Sequence, residues 1–452
     1  MPIGRYMKTS NPEYVLSQLC RFFKAGLIGC LLYGAQVYAA LPIQHWVTEN
    51  GARVFFVETH AIPVLDINVE FDAGSRRDPE GKAGLAALTN GSLDKGIAGV
   101  DGVTEAQILD AFADAGAIRS NKTSMDRAGY SLRVMSDPAE SESAIRMMSR
   151  LLAKPSFPEA LLMRDKARLV ASLKEEMTRP ESIAAKAFRK DIYSAHPYGV
   201  SSTPESVGQI TREDLVDFHK THYVANRAVI SLVGDIDIER ARRIAQEISS
   251  GLSVSDRDLP KLPDVTASAR KTDVIAHPAT QAHILIGMPA LRRGDPDFFA
   301  LTVGNYILGG GGFSSRLMQE VREKRGLSYS VYSHFQPMLQ PGPFVIGLQT
   351  EKKQADDAIG VVNATLNDFL RKGPDAAELQ SARDHLVNSF AMQMDNNLKV
   401  LELISMIGYY RLPLDYLDHW TEKVAQVTAA DVKDAMNRKL NAGQMATVIV
   451  GQ

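Results

Sequence analysis

Cysteine is nearly absent. The 452-residue chain has two, Cys20 and Cys30, both within its first thirty residues. The remainder therefore holds no disulfide framework, no thiolate zinc cluster and no cysteine nucleophile. An excess of one charge is also missing. The 51 Lys and Arg nearly balance the 53 Asp and Glu, leaving a formal net charge of −2. No global field then favours nucleic acid or anionic lipid. Past the N-terminus no run is apolar enough to span a membrane. The glycine run Gly309 to Gly312 is not followed by the Lys-Ser/Thr of a phosphate-binding loop. No Ser-His-Asp or Cys-His arrangement stands out.

What is present begins with a leader-like segment. Arg21 and Lys24 precede the apolar run AGLIGCLLYGAQVYAA, and Val37-Tyr38-Ala39 suits cleavage after Ala39 or Ala40. The expectation is a signal peptide over residues 1–40, export to the periplasm, and a mature chain with no cysteine and no membrane span. Met7 is an alternative start. LIGC, ending at Cys30, is an alternative lipoprotein site, disfavoured because only five residues separate it from Lys24.

The chain also repeats itself. VGQITREDLVDFHKTHYVANRAVISLVGD from Val207 aligns without a gap on VAQVTAADVKDAMNRKLNAGQMATVIVGQ from Val424, an offset of 217 residues. Gln209, Thr211, Asp214, Asp217, Val233 and Gly234 recur as Gln426, Thr428, Asp431, Asp434, Val450 and Gly451. Chance would supply about two matches in a window of this length, whereas similarity at a fixed period marks duplicated units. The same offset places LDINVEF on AHILIGM, two strand-like runs. In each copy strands come first, helices follow, and Thr-x-x-Asp opens a helix ahead of a closing apolar strand. The expected fold class is α+β: two tandem homologous domains, each a largely antiparallel sheet with helices packed on one face. The boundaries expected are 41–252 for the first domain, 253–273 for a polar, proline-containing linker, and 274–452 for the second.

Three stretches carry a family resemblance. FDAGSRRDPEGKAGLAALTNGSLDKG, HPYG at His196, and LGGGGFSSRLMQEVREKRGLSYSVYS resemble the inverted-motif zinc peptidases, which include pitrilysin, insulin-degrading enzyme and mitochondrial processing peptidase. The resemblance covers nearly the whole mature chain and implies a clam-shell half. Active members carry His-x-x-Glu-His on a helix, two zinc ligands and a general base. Here those positions are Ala87, Asn90 and Gly91. Alanine and glycine offer no side-chain lone pair, and an amide cannot take a proton as a carboxylate does. The family's third ligand, a Glu, falls near Ala171 and Ser172, with Glu175 and Glu176 close by. His219 and His222, three residues apart, have no cysteine or carboxylate placed with them and read as helix packing rather than a metal site. His196 and His277 read as turn residues, and the glycine run resembles a family loop facing the chamber.

The resemblance also implies a role. Family members of this length work in pairs, and in the heterodimeric kind one chain brings zinc while the other, lacking the motif, contributes to substrate binding. The expectation is that second chain: no cofactor of its own, zinc in a homologous partner subunit, and a peptide or unfolded segment as substrate. A peptide-binding or scaffold protein of the same fold is the alternative. The spacing of SSRLMQEVREKRG predicts a helix ending at Gly326, and LSYSVYS predicts a strand with Tyr329 and Val331 on one face. Active pairs of the family keep an Arg and a Tyr seven residues apart, projecting into the chamber. Arg322 and Tyr329 match that spacing. They are the candidate site residues, although Arg316 and Arg325 lie close enough to compete.

Overall fold

The strands fall into two sheets of the same design. A computed structural model describes residues 41–99, 102–266 and 270–451. The signal peptide expected over residues 1–40 lies outside them. The first sheet uses β1 (Gln44–Val47), β2 (Arg53–Glu58), β3 (Val64–Phe71), β6 (Ile118–Thr123), β7 (Ala128–Met135) and β8 (Val229–Gly234). A two-residue hairpin, β4 (Gly96–Ile97) and β5 (Val103–Thr104), stands apart. The second sheet uses β9 (Thr272–Ile275), β10 (Gln281–Leu291), β11 (Val331–Phe335), β12 (Gly342–Glu351) and β13 (Ala446–Val450). The first runs β1-β2-β8-β3-β7-β6 and the second, from its far edge, β9-β13-β10-β12-β11. In each, one parallel pair (β2 with β8, β13 with β9) joins an otherwise antiparallel sheet.

The helices repeat as well. Those of the first half are α1 (Leu85–Gly91), α2 (Glu105–Asp114), α3 (Pro138–Ala153), α4 (Glu159–Glu176), α5 (Pro180–Tyr193), α6 (Pro204–Gly208), α7 (Arg212–His222) and α8 (Ile238–Ser250). The second half holds α9 (Phe298–Asn305), α10 (Ala355–Lys372), α11 (Ala376–Ser389), α12 (Asn397–Tyr410), α13 (Trp420–Gln426) and α14 (Ala429–Lys439). Helices α5 and α7 reappear 217 residues later as α12 and α14. Both Thr-x-x-Asp signals are true capping boxes, Thr211 with Asp214 and Thr428 with Asp431. The side chain of each Thr accepts from the third helical N–H, and the Asp returns the bond, satisfying donors a helix start leaves unpaired.

Alternation in the strands decides what each face buries. In the first sheet Val54, Phe56, Ile67, Val69, Ile230 and Leu232 point into one core shared with α1, α3, α7 and α8 of the same half. The opposite face takes a helix from the other half. Gly408 of α12 lies against Phe55 and Val229, its carbonyl accepts from Arg53 Nη1 at 2.6 Å, and Asn68 Nδ2 donates to Ser405 Oγ at 3.0 Å. The second sheet receives α5 in return, with Ala184, Phe188 and Ile192 packed on Val345, Val448 and Val450. Each half therefore lends its equivalent helix to the other's sheet, and from Pro42 onward the chain is one compact unit. Among the described residues no helix is long and apolar enough to cross a membrane.

Candidate functional site

Helix α1 is the segment where a metal motif would stand. It begins where the half-buried Asp78 carboxylate accepts from the N–H groups of Gly84 (2.8 Å) and Ala86 (2.7 Å). Burial outweighs those two bonds and pushes Asp78 up to about 6. Leu85, Ala86 and Leu88 anchor the helix in the core. Ala87 is exposed, and a Cβ at Gly91 would meet nothing within 4 Å. Asn90 is 1 % exposed. Its amide donates to the Gly129 carbonyl at 3.2 Å, its Oδ1 accepts from the Tyr223 hydroxyl at 3.2 Å, and its own carbonyl accepts from Asn121. The two ligand positions face open space with nothing to coordinate, and the general-base position has become a core hydrogen-bond junction.

No nearby carboxylate repairs the loss. Ala171 and Ser172 on α4 are exposed and donor-poor. Glu175 is ion-paired with Arg179, and Glu176 with Lys186 at 2.9 Å. His219 and His222 are both spent on packing. Nε2 of His219 lies 2.9 Å from the Leu152 carbonyl, and its ring stacks on Tyr223. Nδ1 of His222 lies 2.8 Å from the Asp72 carbonyl. Burial lowers each to about 4. Among the described residues no group of three or more His, Cys, Asp or Glu could hold a metal ion. The described side chains on and around α1 offer zinc no ligand set.

The second-half candidates do come together. Arg322 lies in the last turn of a π-helical segment, Met318–Glu323, that ends near Gly326, whose φ of +64° stops the helix. The strand expected to include Tyr329 begins only at Val331, so Tyr329 belongs to the preceding loop. The loop frees it from the sheet: Tyr329 is 81 % exposed. The Arg322 guanidinium sits 4.9 Å from the Tyr329 ring centroid and 4.7 Å from that of Phe313, which is 66 % exposed. A cation between two aromatic faces holds both rings without burying them. The competing arginines are committed elsewhere, Arg316 to Glu378 and the Gly373 carbonyl, Arg325 to Glu320. Phe313 was not singled out by sequence reasoning. The available signal was a lone aromatic directly after a glycine run.

Two repeated halves around a helix stripped of its metal ligands define a zinc-peptidase fold without its metal site. Comparison with known proteins agrees. The family described as "Peptidase M16 inactive domain" matches residues 209–386. A crystal structure of a peptidase M16 inactive domain from Pseudomonas fluorescens is 35 % identical, covering 91 % of this chain and 98 % of its own, with a TM-score of 0.86. The non-peptidase homolog YmxG of Helicobacter pylori is 24 % identical over 89 % of this chain and 93 % of its own length. The periplasmic protease PqqL from Escherichia coli shares the fold, with a TM-score of 0.77 at 16 % identity. This chain spans 45 % of PqqL. The chain belongs to the peptidase M16 family, as a member of its inactive kind.

Proposed function

We propose that this chain is the non-catalytic, substrate-binding subunit of a heterodimeric periplasmic zinc peptidase, and that Arg322 and Tyr329 serve the active site of a homologous zinc-bearing partner. The observation that carries the reading is the Phe313–Arg322–Tyr329 stack. A tyrosine that only packed would be buried, and an arginine that only complemented a helix end would not need two exposed rings. The ordering of these three side chains at an exposed surface supports a group prepared for a ligand. When bound in the partner, zinc supplies an activated water. The part left to this chain is to orient the peptide through the Arg322 donors, and to donate from the Tyr329 hydroxyl to the carbonyl oxygen as it gains negative charge. The leader-like N-terminus and the fold shared with a periplasmic protease support the location.

A peptide-binding scaffold without a peptidase partner is the second reading, favoured by one observation. Among the described residues strand β6 pairs only with β7, packs against α1, and leaves its outer edge open for an added peptide strand. One experiment separates the two. The purified chain is mixed with a zinc-motif homologue, and cleavage and co-elution are measured. Tyr329→Phe is expected to lower kcat by roughly 10²–10³-fold with assembly intact, and Arg322→Ala to weaken both binding and turnover. If both variants assemble and cleave like the wild type, the pair is structural; if mixing gives neither co-elution nor cleavage, the scaffold reading stands instead.

A further inference from the structure

Helix α5 covers only part of the second sheet. It lies over β10 and β13, reaches Val345 of β12, and leaves Tyr332 and His334 of β11 and Gln349 of β12 exposed beside it. The result is a cleft of about 500 Å³ walled by Phe188 and Ala185 from the helix and by Leu285, Val345 and Tyr332 from the sheet. That volume is in the range of sites that hold small ligands. The equivalent face in the first half is not apolar: where the second sheet has His283 and Leu285, the first has Asp66 and Asn68, with Asp66 paired to Arg133 and Asn68 bonded to Ser131 and Ser405. The duplicated fold therefore does not require this cleft to be apolar.

Two charges stand along it. Glu181 and Arg189 line the cleft from the same helix face, eight residues and so about 12 Å apart. Arg189 is half-buried, and its side chain forms no hydrogen bond or ion pair with any described residue. Burial lowers its guanidinium, with only longer-range help from Glu176 and Tyr193. A desolvated guanidinium with unspent donors is costly, and a carboxylate is the group that matches its fork. Glu181 at the other end would repel a second acid, which sets the polarity. Gln336, Gln349 and Ser330 add donors and acceptors along the walls, suiting an amide backbone better than a plain hydrocarbon chain.

We propose that this cleft binds the C-terminal end of a short extended peptide, its free carboxylate on Arg189 and its last apolar side chain against Phe188, Leu285 and Val345. At about 3.3 Å per residue, three or four residues fill the distance to Glu181. The choice of a peptide over other carboxylates rests on the peptide-handling reading above. The binding itself needs neither the partner subunit nor the Arg322–Tyr329 pair.

The test is calorimetry on the full chain alone, with no partner and no cleavage involved, so it can fail or succeed independently of the heterodimer. The probes are N-acetyl-Ala-Ala-Ala-Leu as free acid, the same peptide as C-terminal amide, and dodecanoate. The acid is expected to bind at least about tenfold more tightly than the amide, the scale of one charge-assisted pair. Arg189→Gln should remove that preference while leaving amide binding unchanged. Ala185→Trp, at an exposed helix position facing the cleft, should abolish binding of both peptides by filling the space. Equal binding of acid and amide, wild-type binding by A185W, or no binding of the acid at millimolar concentration overturns the proposal. Tight dodecanoate binding without the peptide acid overturns the peptide assignment.

Discussion

Asn90 occupies the position where an active relative would hold its general base, and its partners explain why reversing the loss is not simple. Its amide donates to a buried carbonyl and accepts from a buried tyrosine, roles an ionised carboxylate cannot both fill. Ala87 and Gly91 have room for histidine; Asn90 has none for a charge. The triple substitution Ala87→His, Asn90→Glu, Gly91→His is expected to lower stability by about 3 kcal/mol, the scale of stranding buried polar groups. It should bind no stoichiometric zinc, because Ala171 and Ser172 still supply no third ligand. Urea unfolding and elemental analysis check both outcomes. His219 and His222 give a pH dependence. Burial holds each near 4 when folded, against about 6.5 when unfolded. Between those values the unfolded chain binds more protons, so stability is full above about pH 6.5 and is lost as pH falls towards 4, by roughly 3 kcal/mol per histidine. Asp78, raised by burial to about 6, acts in the opposite sense and offsets part of that loss. His222→Gln can keep the bond to the Asp72 carbonyl without titrating. Its melting temperature should fall less than the wild type's between pH 6.5 and 4.5, and an unchanged profile would exclude His222 as the source.

At the scale of elements, the exchanged helices are the part most exposed to single substitutions. A Cβ at Gly408 would lie 2.6 Å from Phe55 Cε2 and 2.8 Å from Val229 Cγ1, in the seam between α12 and the first sheet. Gly408→Val is therefore expected to cost about 1–3 kcal/mol or more through forced displacement of packed groups. Gly360, within α10, supplies the control. A Cβ there meets nothing within 4 Å, so Gly360→Ala should gain about 0.5–1 kcal/mol from helix propensity. Thermal unfolding of the two variants side by side tests the seam, and equal effects would contradict it. The segment between the halves is likewise not free. Arg77 Nη1 donates to the Pro260 carbonyl at 2.7 Å, and His196 Nε2 lies 3.1 Å from that of Pro263.

The whole molecule is tied at one buried carboxylate. Asp126, in the turn between β6 and β7, meets Arg76 Nε at 3.4 Å. It accepts from the hydroxyl of Tyr198 just after α5, from that of Tyr410 at the end of α12 (2.9 Å), and from the N–H of Leu339 between β11 and β12 (2.9 Å). The Tyr409 hydroxyl donates to its carbonyl at 2.6 Å. Both exchanged helices and both sheets thus end on a single residue. Asp126→Asn keeps the shape but removes one of the two carboxylates that balance Arg76, Asp72 at 2.7 Å being the other, and should cost about 3 kcal/mol. It should also loosen the halves relative to each other, read as faster proteolysis between residues 253 and 266 at a temperature where the wild type resists. Wild-type melting and proteolysis would show that the junction is not what holds the halves together.

Some of this was legible in the residue string. The 217-residue repeat, the capping boxes and the lost ligands at Ala87 and Gly91 are statements about which residue stands at which spacing, and local chemistry settles those. The Arg322–Tyr329 spacing was visible too, but the loop that exposes Tyr329 was not, because SYSVY alternates whether or not its first residues are paired. The exchange of α5 and α12, the Asp126 junction, the Phe313 ring on Arg322 and the half-covered cleft beside Arg189 came only from the tertiary structure. Each depends on which surfaces meet across more than a hundred residues or around a loop. An amphipathic helix carries the same apolar spacing whichever sheet it covers, so its sequence specifies that a face must be buried and leaves the partner to the packing of the whole chain.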